Sequence, residues 1–76
     1  MVDTRELKRI RVEAGYTSRD MGGVIGKSAR AYRNRENGVT KFDPDEIPKV
    51  VEALKMSGNV AWRIFFAPQF PNGNMS

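Results

Sequence analysis

Seventy-six residues, with 13 Lys/Arg against nine Asp/Glu, carry a formal charge of +4, and the chain has neither cysteine nor histidine. That excludes a disulfide framework and thiolate metal sites and removes the commonest general base, so neither an enzyme nor a cofactor is expected. No apolar run approaches the roughly 18 residues of a membrane span and no signal-peptide core appears, so a cytoplasmic protein away from the membrane is expected.

In chain order, Asp3-Thr4-Arg5-Glu6 is a capping-box start, and Leu7, Ile10 and Ala14 follow at helical spacing up to the stop at Gly15. Thr17-Ser18-Arg19-Asp20 repeats the start signal for a short second helix carrying Met21, Val24 and Ile25 and ending at Gly26. Ser28 is a good N-cap for a third helix running to Glu36, with Asn37-Gly38 as its stop. Asp43-Pro44-Asp45-Glu46 opens a fourth helix, carrying Ile47, Val50, Val51 and Leu54; Pro48 is tolerable only in its first turn. Its acids, like Asp3, Glu6 and Asp20, read as helix-start charges, since the spacing and glycine of a calcium loop are missing and no metal site is expected. Ser57 or Asn59 starts a fifth helix through Phe66, and the tail APQFPNGNMS reads as irregular. The expected fold is all-α, a compact bundle of about five short helices over residues 1–66 followed by an irregular tail at 67–76.

The stretch MGGVIGKS at 21–28 poses a question, because Gly26-Lys27-Ser28 is how a triphosphate-cradling loop ends. That loop needs a glycine five positions before Gly26, where this chain has Met21; the glycines stand at 22 and 23. The spacing misses by one. Helices two and three, joined only through Gly26-Lys27, instead form a helix-turn-helix, in which glycine permits the left-handed turn. Gly22 lies where helix two would press against helix three. The charge supports a polyanionic partner: residues 1–38 hold nine Lys/Arg against five acids, and residues 39–76 hold four of each.

From Leu7 to about Leu54 the chain resembles the phage Cro and repressor type of helix-turn-helix domain. The matching pieces are Gly15-Tyr16-Thr17, Met21, Gly22, Ile25-Gly26, Ser28, Tyr32 and Glu36-Asn37-Gly38, with the family's gaps between them. Three positions depart from the pattern. Ser18 stands where a phosphate-binding Gln is usual, Arg35 where an apolar residue precedes Glu-Asn-Gly, and Lys55 where a Gly usually ends helix four.

The resemblance implies that the N-terminal part of helix three enters the major groove of double-stranded DNA. Tyr32, helped by Ala31, then faces inward, and Ala29, Arg30, Arg33 and Asn34 face the bases. Arg pairs with guanine O6/N7, Asn with adenine N6/N7, and Ala29 can meet a thymine methyl. Arg11, Ser18, Arg19, Lys27, Ser28, Asn37, Thr40 and Lys41 flank that helix as expected phosphate contacts, with Arg11 oriented by Glu36. In helix five, V60-AWRIFF has only Arg63 polar, so Trp62, Phe65, Phe66 and, in the tail, Phe70 are expected to pack against a second subunit. A domain this small buries only about 60% of its unfolded surface, which also favours a partner.

The expected function is therefore a sequence-specific transcriptional regulator of the Cro-like repressor sort, without a small-molecule ligand. It would bind an inverted-repeat operator as a homodimer, which can form fully only on DNA. The alternative is a protein-interaction module on the same scaffold, an antitoxin or antirepressor gripping its partner with V60-AWRIFF; such a protein has no need of Arg30, Arg33 and Asn34 together.

Overall fold

The computed structural model describes residues 2–69. Five helices follow one another, with no strand among the described residues: α1 (Thr4–Glu13), α2 (Ser18–Ile25), α3 (Ala29–Glu36), α4 (Glu46–Ala53) and α5 (Gly58–Ala61). The all-α expectation holds.

Helix starts follow local chemistry with two changes. At α1, Asp3 accepts from the Glu6 N–H at 3.1 Å, but Glu6 does not complete the capping box. Its carboxylate turns to Arg9 instead, and the Asp3 N–H donates to the Ile64 carbonyl at 2.9 Å. At α4 the helix begins at Glu46, not at Asp43, and Asp45 in the N-cap position makes no side-chain cap bond. The capping is done from the other side, because the Glu46 carboxylate accepts from the Asp43 N–H at 2.9 Å. Pro48 is the third residue of α4, in the first turn, where its missing N–H breaks no bond.

The core gathers Leu7 from α1, Met21 and Ile25 from α2, Tyr32 from α3, Val50 and Leu54 from α4 and its end, and Ile64 and Phe65 from the segment after α5. Phe42, in the loop before α4, joins it through edge-on contacts with Tyr32 at 6.0 Å and Phe65 at 5.4 Å between ring centroids. Ring edges meeting ring faces are the favoured aromatic geometry.

The fifth helix does not continue regularly to Phe66. After Ala61 the chain widens into a π-helical turn at Trp62–Phe66 and then a single 3-10 turn at Ala67–Gln69, within the stretch expected to be irregular. Pro68 explains the change. It has no N–H to offer the Ile64 carbonyl four residues back, and its ring crowds that carbonyl. The Ala67 N–H reaches back five residues to Trp62, and the Ile64 carbonyl takes the Asp3 N–H instead, tying the start of α1 to this segment.

Candidate nucleic-acid interface

The turn between α2 and α3 is built from the residues that raised the triphosphate question. Thr17 and Asp20 cap α2 reciprocally, at 3.0 and 2.9 Å, and the Thr17 N–H with its hydroxyl holds the Asp20 carboxyl below its usual range. The helix ends at Gly26 in the left-handed region, φ 74°, and the Lys27 N–H returns to the Gly22 carbonyl at 2.7 Å. A Cβ on Gly22 would stand 2.7 Å from the Ser28 carbonyl oxygen and 2.8 Å from that of Lys27. The expected close approach at Gly22 is real, but its partner is the backbone of the turn entering α3. Ser28 then accepts from the Ala31 N–H at 3.0 Å, so Gly26-Lys27-Ser28 is a turn and an N-cap.

Two buried carboxylates hold α3 from behind. Glu36 accepts at Oε2 from Arg11 Nε at 2.8 Å and from the Tyr32 hydroxyl at 2.9 Å, and at Oε1 from Arg11 Nη2 at 3.3 Å. Arg11 Nη1 also donates to the Tyr16 carbonyl at 2.7 Å. The bond to Glu36 is the main cause that raises the Arg11 pKa further. Glu46 is the second holder. Its Oε1 accepts from Arg35 Nε at 2.8 Å and from the Asp43 N–H, and its Oε2 lies 3.6 Å from Lys27 Nζ. Burial pushes this carboxyl up, but the Asp43 N–H, Arg35 and Lys27 outweigh it and leave the pKa below its usual value.

These pairs sort the basic residues around α3 into two kinds. Arg11, Lys27 and Arg35 are joined to acids within the protein. Arg19 on α2, Arg30 and Arg33 on α3, and Lys41 beyond it are exposed and in no ion pair among the described residues. Arg30 and Arg33 lie one turn apart on the outer side of α3, with Ala29 and Asn34 half-buried beside them; Tyr32 is fully buried and Ala31 half-buried, as their inward placement requires.

Of the flanking residues, Ser18 is the half-buried first residue of α2, and Ser28 and Asn37 cap the two ends of α3. Gly38, at φ 81°, turns the chain, and the Val39 and Thr40 N–H groups donate to the Asn34 carbonyl at 2.8 and 3.1 Å. That fold-back carries Thr40, exposed like Asn37, beside the last turn of α3. Arg11 stands apart from the others. It is 8% exposed, and three of its five N–H groups are committed inside the protein, so it frames this face from beneath.

The proposed subunit contact needs one correction. Phe65 is fully buried in the protein's own core and has no surface to give a partner. Trp62 and Phe66 are 51% and 38% exposed, with rings stacked at 5.7 Å and 22°. The apolar segment is therefore not covered on every side by its own domain. Phe70 lies outside the described residues.

The Glu46 cluster was not foreseen from the sequence. Its signal was Arg35, which stands where the family pattern calls for an apolar residue: an arginine turned inward needs an acid. Three acids, Asp43, Asp45 and Glu46, lay within reach along the chain, and only the fold selects Glu46.

No helix among the described residues is long and apolar enough to cross a membrane. Comparison with known proteins agrees with the geometry: the family model described as Helix-turn-helix matches residues 7–59, spanning α1 to the start of α5. No curated protein and no solved structure matches the chain. The match, the glycine-bound turn between α2 and α3, and the Arg11–Glu36 pair beneath α3 agree, and the chain belongs to the helix-turn-helix family, in its Cro and repressor type of DNA-binding domain.

Proposed function

We propose that this chain is a sequence-specific transcriptional regulator, a Cro-like repressor of a phage or prophage, acting on DNA in the bacterial cytoplasm. The observation that carries this reading is the division of its positive charge: Arg30 and Arg33 stand exposed on α3 while Arg11, Lys27 and Arg35 are paired with acids of the protein. Arg30, Arg33, Asn34 and Ala29 read base edges. Ser18, Arg19, Ser28, Asn37, Thr40 and Lys41 meet phosphates on either side, Lys27 stands beside them with Glu46 competing for its charge, and Arg11, turned inward to Glu36, orients that surface.

The active form is a homodimer on an inverted repeat, supported by the exposed, stacked Trp62 and Phe66. Two α3 helices related by a two-fold axis would sit about 34 Å apart, one turn of DNA. Selection from a pool of random duplexes tests the reading. It should enrich a single sequence with two-fold symmetry; a pool that stays random through successive rounds would remove the regulator reading.

A further inference from the structure

The buried carboxylate of Glu46 touches three parts of the DNA-facing unit at once. It holds Arg35, in the last turn of α3, and the Asp43 N–H, in the loop leading to α4, both at Oε1. Its Oε2 lies 3.6 Å from Lys27, in the turn that enters α3. Arg35 closes the arrangement by donating from Nη1 to the Ala31 carbonyl at 3.1 Å. Both ends of an eight-residue helix are thus referred to one fixed point, which is only 2% exposed. A buried ion pair of this kind contributes little net stability, because removing the charges from water offsets most of their attraction. What it contributes is geometry, and here the geometry is that of the helix proposed to read DNA.

The pairing has a second consequence at Lys27. Its side chain is 37% exposed and so within reach of a phosphate, yet its ammonium already has an anion beside it. A DNA phosphate must compete with Glu46 for that charge. Lys41 meets no such competitor, being in no ion pair among the described residues.

We infer that Glu46 is a specificity-determining positioning residue, which sets the seating of α3 through Arg35 and restrains Lys27 from binding phosphate on any sequence. The inference rests on the DNA-binding reading above. Removing the charge should therefore have opposite effects on the two kinds of DNA. Discrimination falls because α3 loses its reference, while non-specific affinity rises because Lys27 is released.

The test uses the full chain and two duplexes, one obtained by selection and one scrambled. Glu46→Gln, confirmed as folded by its helical circular dichroism, should lower the ratio of selected to scrambled affinity about tenfold, the scale of one lost base contact. It should bind the scrambled duplex about two- to fivefold more tightly, with a log–log salt slope steeper by about 0.9 for one added phosphate contact. Glu46→Gln combined with Lys27→Met should lose that gain. A folded Glu46→Gln protein with the parent's ratio and salt slope would overturn the inference.

Should Glu46→Gln not fold, single substitutions of the lysines decide. With Glu46 holding Lys27, Lys27→Met costs less affinity for scrambled DNA than Lys41→Met; an equal or greater cost overturns the inference. A parent protein that binds no duplex at all would sink the DNA-binding reading itself, a result distinct from either of these.

Discussion

Tyr32 is the residue on which the rear of α3 turns. Its ring fills the core and its hydroxyl donates to Glu36, so one side chain joins apolar packing to the Arg11 ion pair. Burial pushes its phenol well above the ordinary 10.0, and the negative charge of Glu36 and the hydrogen bond to it push the same way. A folded-state pKa raised above the unfolded one gives stability that is present in full below pH 10 and lost as the pH rises beyond it. Tyr32→Phe should cost about 1.5 kcal/mol at pH 7, the scale of a hydrogen bond to a charged group. The substituted protein should then lose less stability than the parent between pH 9 and 11. Urea denaturation at several pH values measures both, and equal alkaline losses would show that Tyr32 does not titrate with unfolding.

Lys55 is a second residue with a legible consequence. Among the described residues it is the non-glycine one with positive φ, 54°, at the position where the family pattern has Gly. That conformation costs a side-chain-bearing residue about 1–2 kcal/mol, and glycine's greater freedom in the unfolded chain returns about 0.5–1 kcal/mol of it. Lys55→Gly should stabilise the fold by the remainder, about 0.5–1 kcal/mol, raising the melting temperature by several degrees. An unchanged or lower melting temperature would mean that the strain is relieved elsewhere.

Among the elements, α3 is held at its start by Ser28 and the backbone contact at Gly22, and at its end by Glu36 and Arg35. The start was readable in the sequence because a cap and a left-handed turn are local: each involves residues three or four apart, and the residue types that suit them are few. The Glu46 cluster was not readable, because it joins Glu46 to Arg35, 11 positions away, and to Lys27, farther still, through a loop whose path only the core determines. The same limit hid the π-helical turn, which depends on Pro68 locally and on the Asp3 N–H from the other end of the chain. On the outer face, Arg30→Ala, Arg33→Ala and Asn34→Ala should each cost about 1–3 kcal/mol on the selected duplex and relax discrimination at one base pair. Arg19→Ala and Lys41→Ala should weaken selected and scrambled DNA alike. Affinities measured on both duplexes separate the two groups, and identical behaviour would remove the division into readers and positioners.

At the scale of the whole molecule, the face bearing Arg30 and Arg33 and the exposed Trp62–Phe66 pair come from different segments of the chain and are proposed to act together through two-fold symmetry. Trp62→Ala and Phe66→Ala proteins, once shown to be folded, should lose affinity for a full inverted repeat and keep it for a half-site. Equal binding to both by the parent and the two variants would place these rings outside any interface. The excess of charge in the first half of the chain was visible without a structure; its division into buried pairs and exposed arginines was not, because a charge count does not say which acid meets which base. That division leads to the measurement that tests the central claim most directly, the affinity for the selected duplex as a function of salt. Each phosphate that a Lys or Arg of this surface neutralises should add about −0.9 to the slope of the logarithm of affinity against the logarithm of salt concentration, so that affinity falls steeply as salt rises. An affinity that does not change with salt would contradict DNA binding by this surface.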